Sequence, residues 1–269
     1  MRLLKFLDHA WRLFATALSF AVFGVGGLIM GLLVFPLLFV FVRDRQRRKM
    51  LARRLIGRAF GGFWGMMHVL RVLDCHISGR EHIGIHGSQL VVANHPTLID
   101  VVILISLFPH ANCVIKAAVT ENIFMRSVVL AADYISNSQP EELLESCVSY
   151  LKSGGSLMLF PEGTRSKRGE KIDFKPGAAT VAARADVAVL PVAIECEPLF
   201  LSKEQAWYFV PERRPVFSIK ILPPVAVRDL VAGDLGERQA RQQLNERLLQ
   251  RIRAQLSNME FSEKPIYNA

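Results

Sequence analysis

The chain opens on one long apolar stretch and then changes its pattern twice. No charged residue falls between Arg12 and Arg43, and the 30 residues between them are apolar apart from Thr16, Ser19 and several glycines. As a straight helix they would reach about 45 Å, against roughly 30 Å for the hydrocarbon core of a bilayer. Gly24, Gly26, Gly27, Gly31 and Pro36 offer places to bend, and both flanks are basic. Basic flanks prefer the cytoplasmic side, so the pattern favours a helical hairpin or re-entrant pair, with a single tilted span as the alternative. The apolar region is too long for a secretory signal. Residues 50–73 then mix Arg with Phe, Trp, Met and Leu. Two readings stand for them: an interfacial helix lying on anionic lipid, or a core-facing helix with a solvated basic side.

From about Val72 the pattern becomes short apolar runs separated by helical segments. Strands are expected at Val72–Ile77, Leu90–Ala93, Cys113–Lys116, Asp133–Ser136, Ser156–Phe160, Val187–Ile194 and Val216–Leu222. Helical periodicity lies between most of them, at Leu98–Leu107, Glu141–Lys152 and Gly177–Ala185. Such alternation predicts an α/β fold, a mostly parallel sheet covered by helices, with Val216–Leu222 near an edge. Leu244, Leu248, Ile252 and Leu256 recur every four residues and predict a packed C-terminal helix. The expected organisation is an N-terminal hydrophobic membrane helix module with a basic segment over 1–69, a catalytic domain over 70–260 and a flexible tail over 261–269.

Charge changes this picture only at one place. The formal net charge is +9, and the block from Arg43 to Arg58 holds eight Arg or Lys against Asp44 alone. A basic block beside a hydrophobic module, with no nucleic-acid-binding motif, points to lipid headgroups rather than nucleic acid. Mean hydropathy is +0.27, high for a wholly soluble chain. The cysteines Cys75, Cys113, Cys147 and Cys196 form no Cys-x-x-Cys pair and are expected to be reduced thiols. His82 and His86 have ligand spacing, but Gly84 and Gly87 interrupt a helix there, so no metal is expected.

Two stretches carry candidate chemistry. The run from Val91 to Asp100 reads V-V-A-N-H-P-T-L-I-D, an apolar strand, a corner at Asn94, His95 and Pro96, and the start of a helix. Ligands of open α/β sheets gather at such carboxyl ends. With Thr97 as N-cap, Asp100 falls at the third helical position and faces back to the corner. It can then hold one imidazole nitrogen of His95 and leave the other as a general base. Thr-x-x-Asp is equally a plain capping box. The second stretch, Phe160–Ser166, reads F-P-E-G-T-R-S and leaves another strand at the same sheet edge. Glu162 and Gly163 place a carboxylate by unhindered backbone; Arg165, followed by Lys167, Arg168, Lys171 and Lys175, suits phosphate. A charged surface turn is the other reading of this stretch.

Together these stretches resemble the lysophospholipid and glycerol-phosphate acyltransferase family, marked by Asn-His-x-x-x-x-Asp followed by Phe-Pro-Glu-Gly-Thr-Arg-Ser. A third element, an apolar strand with a proline, is matched by V-A-V-L-P-V from Val187 to Val192. The resemblance covers roughly residues 70–225. It implies acyl transfer from acyl-CoA or acyl carrier protein to a lysophospholipid hydroxyl, lysophosphatidic acid-like, with no further cofactor. It implies His95 as base and Asp100 as its orienting carboxylate. Glu162, Gly163, Thr164 and Arg165 would bind the acceptor, with Arg165 on its phosphate, and Pro191 would line the acyl side. One departure matters: family members using glycerol phosphates commonly carry an arginine before the Pro-Glu-Gly strand, where this chain has Tyr134 to Gln139 and no arginine. Lys116, Lys171 and Lys175 are the cations that could compensate. A non-glycerophosphate acceptor or an unusual, polyene-like acyl group is therefore a second expectation. A non-catalytic lipid-binding protein is the rival from another class. A thioester hydrolase lacks support, since no Gly-x-Ser-x-Gly occurs. Membrane lipids are the expected partners, and the expected location is the inner membrane, with the catalytic domain cytoplasmic.

Overall fold

The computed structural model describes residues 2–84, 87–137, 140–166, 171–231 and 236–262. Among these residues seven strands form one sheet: β1 (Asp74–Ser78), β2 (Gln89–Ala93), β3 (Asn112–Ile115), β4 (Ile135–Ser136), β5 (Leu157–Leu159), β6 (Ala188–Glu197) and β7 (Val216–Ile221). Their order is β1-β7-β6-β2-β5-β3-β4, parallel throughout except between β6 and β7. Each expected strand is present, and β7 lies one place in from the edge. The helices of this half are α4 (Ile99–Leu107), α5 (Ala117–Glu121), α6 (Ile123–Ala132), α7 (Pro140–Lys152), α8 (Gly177–Ala185), α9 (Val227–Leu230) and α10 (Glu237–Ser262). Sequence periodicity did not pick out α5, five residues long, or α6, ten residues long.

Both faces of the central sheet are covered, which is why β2 and most of β6 read as continuous apolar runs rather than alternating ones. Val91 and Ala93 of β2, with Leu190, Val192 and Ile194 of β6, pack on one side. Leu90 and Val92, with Val189 and Ala193, point to the other, where Leu244, Leu248 and Ile252 of α10 close the core. The period of two thus divides one strand between two cores. α10 continues through Ser262, and residues 263–269 of the expected tail lie outside the described residues.

The N-terminal module departs from expectation. Arg2–Phe41 is one helical rod: α1 (Arg2–Ile29), a π turn over Met30–Val34, and α2 (Phe35–Phe41). No hairpin occurs inside the apolar run, which is the single-span alternative, and the one break in its α-helical pattern falls on Gly31, just before Pro36. Pro36 has no N–H to give the preceding turn, and the wider π turn just before it absorbs that loss. Reversal comes at residues 42–44, where Asp44 Oδ1 accepts from Arg47 N at 2.6 Å and starts α3 (Arg45–Val69). By length and composition Arg2–Phe41 is the one described helix able to cross a membrane.

α1 is amphipathic in an inverted sense. Arg12, Ala15, Thr16 and Ser19 face the protein, while Phe14, Leu18, Val22 and Val25 face outward. Arg12 is 1% exposed, yet its guanidinium is satisfied by Asp8 at 2.8 Å and by the carbonyls of Pro211 at 2.7 Å and Glu212 at 2.8 Å. Trp11 donates to Leu70 O, Phe20 meets Phe63 and Trp207, and Phe23 meets Phe60. α1 is therefore fastened along the domain over several turns. α3 faces the core with Ala52, Ile56, Phe60, Phe63 and Met67 buried, while Arg54 and Arg58 are exposed on its other side.

Candidate active site

The sheet reverses direction of construction at β2. From β2 the chain moves outward to β3 and β4, returns to place β5 beside β2, and then lays β6 on β2's other side. The carboxyl end of β2 is thus the crevice where this architecture binds ligands. Val92 of β2 stands opposite Leu159 of β5. Three residues further along each strand come His95 and Glu162.

Asn94 makes the corner. It is 2% exposed, its Nδ2 donates to Ile194 O at 2.7 Å, and its Oδ1 accepts from Ile194 N at 2.8 Å. The side-chain amide takes the place of a peptide in the β2–β6 ladder, freeing the main chain to turn away. His95 then lies at the crevice, its ring 4.4 Å from that of Phe160. Its Nδ1 is 3.0 Å from Asp100 Oδ2, and no described residue meets Nε2.

Asp100 is fully buried and carries the capping role as well. Oδ2 also accepts from Thr97 N at 2.6 Å, and Oδ1 accepts from Thr97 Oγ1 at 2.6 Å. Thr97 Oγ1 in turn accepts from Ile99 N at 3.2 Å. The helix begins one residue later than expected, with Leu98 at the cap, so Asp100 is its second residue. Capping box and imidazole clamp are one network rather than rival readings.

Glu162 joins the two motifs. Its Oε1 accepts from His95 N at 2.7 Å, its Oε2 from Ser166 Oγ at 2.6 Å, while Ser166 N donates to His95 O at 2.8 Å. Burial pushes the Glu162 carboxyl above its ordinary range, and the bonds from Ser166 and His95 pull the other way. Gly163 follows with φ +69°, where a side chain would be strained and would meet Lys175 Nζ at 3.2 Å. Thr164 is half-buried in the same turn. Arg165 Nη1 donates to Leu201 O and Ser202 O, each at 3.1 Å, leaving Nη2 and Nε without a described partner. Lys175 is exposed beside Gly163, and its N donates to Pro161 O. Lys116 is exposed at the end of β3, as the N-cap of α5. Pro191 is buried in β6 opposite Val92; Leu222 N donates to its carbonyl at 2.9 Å, and it has no N–H to return.

The structure therefore gathers His95, Asp100, Glu162, Gly163 and Lys175 at one sheet edge, with Arg165 on its rim. Asn94 and Ser166 are residues sequence reasoning left without partners, and Thr97, read there as the N-cap, serves instead to hold Asp100. Each stood inside a quoted motif, but only side-chain geometry reveals its partner. Lys167 and Arg168, like His86, lie outside the described residues. The described residues contain no cluster of three or more metal-ligating side chains. The cysteines are unpaired, and burial pushes Cys75 and Cys113 to about 12 and Cys147 to about 11, so they remain thiols.

Residues 74–195 match the family model described as Acyltransferase. This stretch of the chain is similar to acyltransferase domains. Similar proteins include the chloroplastic 1-acyl-sn-glycerol-3-phosphate acyltransferase LPAT1 of Arabidopsis thaliana, 32% identical over 163 residues, which are 58% of this chain and 44% of that protein. The 1-acyl-sn-glycerol-3-phosphate acyltransferase alpha of Mus musculus is 25% identical over 77% of this chain and 71% of its own length. Against the plant relatives the chain spans about half their length, 44% and 45%. The crystal structure of the 1-acyl-sn-glycerophosphate (LPA) acyltransferase PlsC from Thermotoga maritima has the same fold, with TM-score 0.69 over 92% of this chain and 97% of that one, at 21% identity. The matched residues contain both motifs and end within β6.

Proposed function

We propose that the acyltransferase domain moves an acyl chain from a thioester, acyl-CoA or acyl carrier protein, to the hydroxyl of a lysophosphatidic acid-like acceptor at a membrane surface. The observation that carries this is the imidazole of His95, held at Nδ1 by a fully buried aspartate and open at Nε2. Asp100 keeps the proton on Nδ1, so Nε2 is the basic nitrogen. Nε2 takes the acceptor's hydroxyl proton as its oxygen attacks the thioester carbonyl. The tetrahedral intermediate expels the thiolate, which takes the proton back from the imidazolium. Ester and thiol leave, and His95 is neutral again. No acyl-enzyme is needed, and no cysteine at this site is ionised to form one.

Glu162 supports this as a positioning residue, since both its oxygens hold the His95 corner. Arg165 keeps Nη2 and Nε for the acceptor phosphate, with Lys175 beside Gly163 and Lys116 at the end of β3 as further cations. Pro191 contributes to the acyl side from β6. An acceptor lacking phosphate is the second reading, favoured by Tyr134 to Asn137, where no cation follows β3's partner strand. Arg165→Ala separates the two: a raised acceptor KM supports the phosphate, and an unchanged one removes it.

Attachment follows from the inverted amphipathicity of α1. Because α1 is fastened along the domain from Trp11 to Phe23, its outward apolar stripe suits a bilayer laid along that side. That reading keeps Met1 and Ala269 on one face, the cytoplasmic one by its basic flanks. A tag at Met1 found on the far side would sink it. For the chemistry, transfer of a labelled acyl chain to lysophosphatidic acid in membranes is the decisive assay. Wild-type transfer by His95→Ala would show the base to be misassigned.

A further inference from the structure

At the far end of α4 from His95 lies a second cavity, of about 450 Å³, between α3, the end of α4 and the turn after β1. Its walls carry Arg54, Arg58, Arg80 and His110, with Trp64 on one side. α3 and α4 approach so closely here that a Cβ on Gly57 would meet Pro109 Cβ at 2.8 Å and Ile105 O at 3.2 Å. Arg54 and Arg58, one turn apart on α3, line the same hollow. Trp64 is pinned by its indole N–H donating to Ser106 Oγ at 3.0 Å.

The charge of this hollow is one-sided. No carboxylate lines it, and Glu81, next to Arg80 in the chain, lies 3.8 Å from His82 instead. Among the described residues none of the three guanidiniums makes an ion pair or hydrogen bond. His110 is held below its usual range first by burial and then by Arg54. The carbonyl end of α4 offers a partial negative charge, which is small against three full cations. Arg54, Arg58 and Arg80 keep exposed side chains at the rim of the hollow, whereas the buried arginines have partners inside the protein: Arg12 has Asp8 and two carbonyls, and Arg53 has Ala132 O and Tyr150 Oη. Three unneutralised forks around one hollow match the several oxygens of a phosphate group.

We infer that the Arg54–Arg58–Arg80 cavity binds a phosphate group, as a lipid headgroup or on a soluble phosphate ester, separately from the acyl-transfer site. This goes beyond the acyl-transfer reading and stands whether or not His95 is the base.

The chain has three tryptophans. In full-length protein in neutral detergent carrying Trp11→Phe and Trp207→Phe, Trp64 alone reports. It is titrated with inorganic phosphate, with phosphatidic acid in mixed micelles, and with diacylglycerol as the phosphate-free control. A saturable change in Trp64 emission with a phosphate probe but not diacylglycerol is expected. Arg54→Gln/Arg58→Gln should weaken it about tenfold for each arginine lost, and Arg80→Gln, on a separate element, should do so independently. A response to phosphatidic acid alone assigns the lipid headgroup; responses of similar affinity to both assign the free phosphate group. No saturable response to either probe, an equal response to diacylglycerol, or an unchanged response in both variants overturns the inference. Because the probe sits in the hollow, lipid bound at His95 does not mimic the signal. Acyl transfer in the same detergent should be unchanged in the variants.

Discussion

The two ends of α4 solve opposite electrostatic problems. At its start, every polar atom of Thr97, Asp100 and Glu162 named above has a protein partner, and the ring nitrogen Nε2 of His95 is left over. At its end, three exposed guanidiniums rim one hollow and none has a partner among the described residues. A site that performs proton transfer must be organised before its substrate arrives, because reorganising dipoles during reaction costs rate. A site that only holds an anion can leave its charges unpaired until the ligand supplies the counter-charge. The difference predicts that substitutions at the two ends should differ in kind: the first removes rate, the second removes only affinity.

The largest effect tests the open nitrogen. His95→Ala should lower kcat for acyl transfer by about 10²–10⁴-fold, the range for loss of a general base, with acceptor KM little changed. Next comes the orienting carboxylate. Asp100→Asn should lower kcat by a similar order, because an amide can present N–H to Nδ1 and invert the tautomer. It also disturbs the Thr97 bonds, so Tm should fall as well, by a loss of about 1–3 kcal/mol. A rate loss without any Tm loss would show that the capping network and the catalytic clamp are separate after all.

How far these roles could be read from sequence depends on whether partners are local. His95, Asp100 and Thr97 lie within five residues, so helix periodicity alone places them together. The central strands were visible for the same kind of reason, since a strand buried on both faces, as β2 is, leaves a short apolar run whatever its neighbours are. What could not be read is contact across the fold. Asn94 meets Ile194, Glu162 meets His95, and Arg12 meets Pro211, each pair brought together only by sheet order or helix docking. The apolar run of residues 13–42 misled for a related reason. Glycine lowers the cost of a bend without requiring one, and the actual reversal is fixed by a capping aspartate three residues after the run's last helical turn.

Glu162 gives a graded test at the same corner. Its carboxyl is raised above the ordinary range, so the folded state binds its proton more tightly than the unfolded chain does. That contribution to stability is present below the unfolded value and is lost as pH rises through the folded one. Activity should run the other way, since a protonated carboxyl loses acceptor capacity at the His95 corner. The acid limb of kcat should therefore sit above the usual carboxylate range. In Glu162→Gln it should move or flatten, with a loss of about tenfold at neutral pH, because a glutamine can still accept from His95 N and donate to Ser166 Oγ. An acid limb identical in wild type and Glu162→Gln would take Glu162 out of the preorganised end of the comparison.

The smallest effect comes from the other end of α4 and is the sharpest on the comparison itself. Like charges one turn apart on a helix oppose each other by about 0.2–0.5 kcal/mol. If Arg54 and Arg58 are unpaired in the free protein, replacing both with glutamine in phosphate-free buffer should leave acyl transfer within about twofold and raise Tm by about 1 °C. The gain should vanish or reverse when phosphate is added, because only the wild type then acquires the bound anion's stabilisation. A fall in Tm without phosphate would mean that the arginines already have counter-charges. The contrast between a preorganised site and one completed by its ligand would then fail at this end of α4.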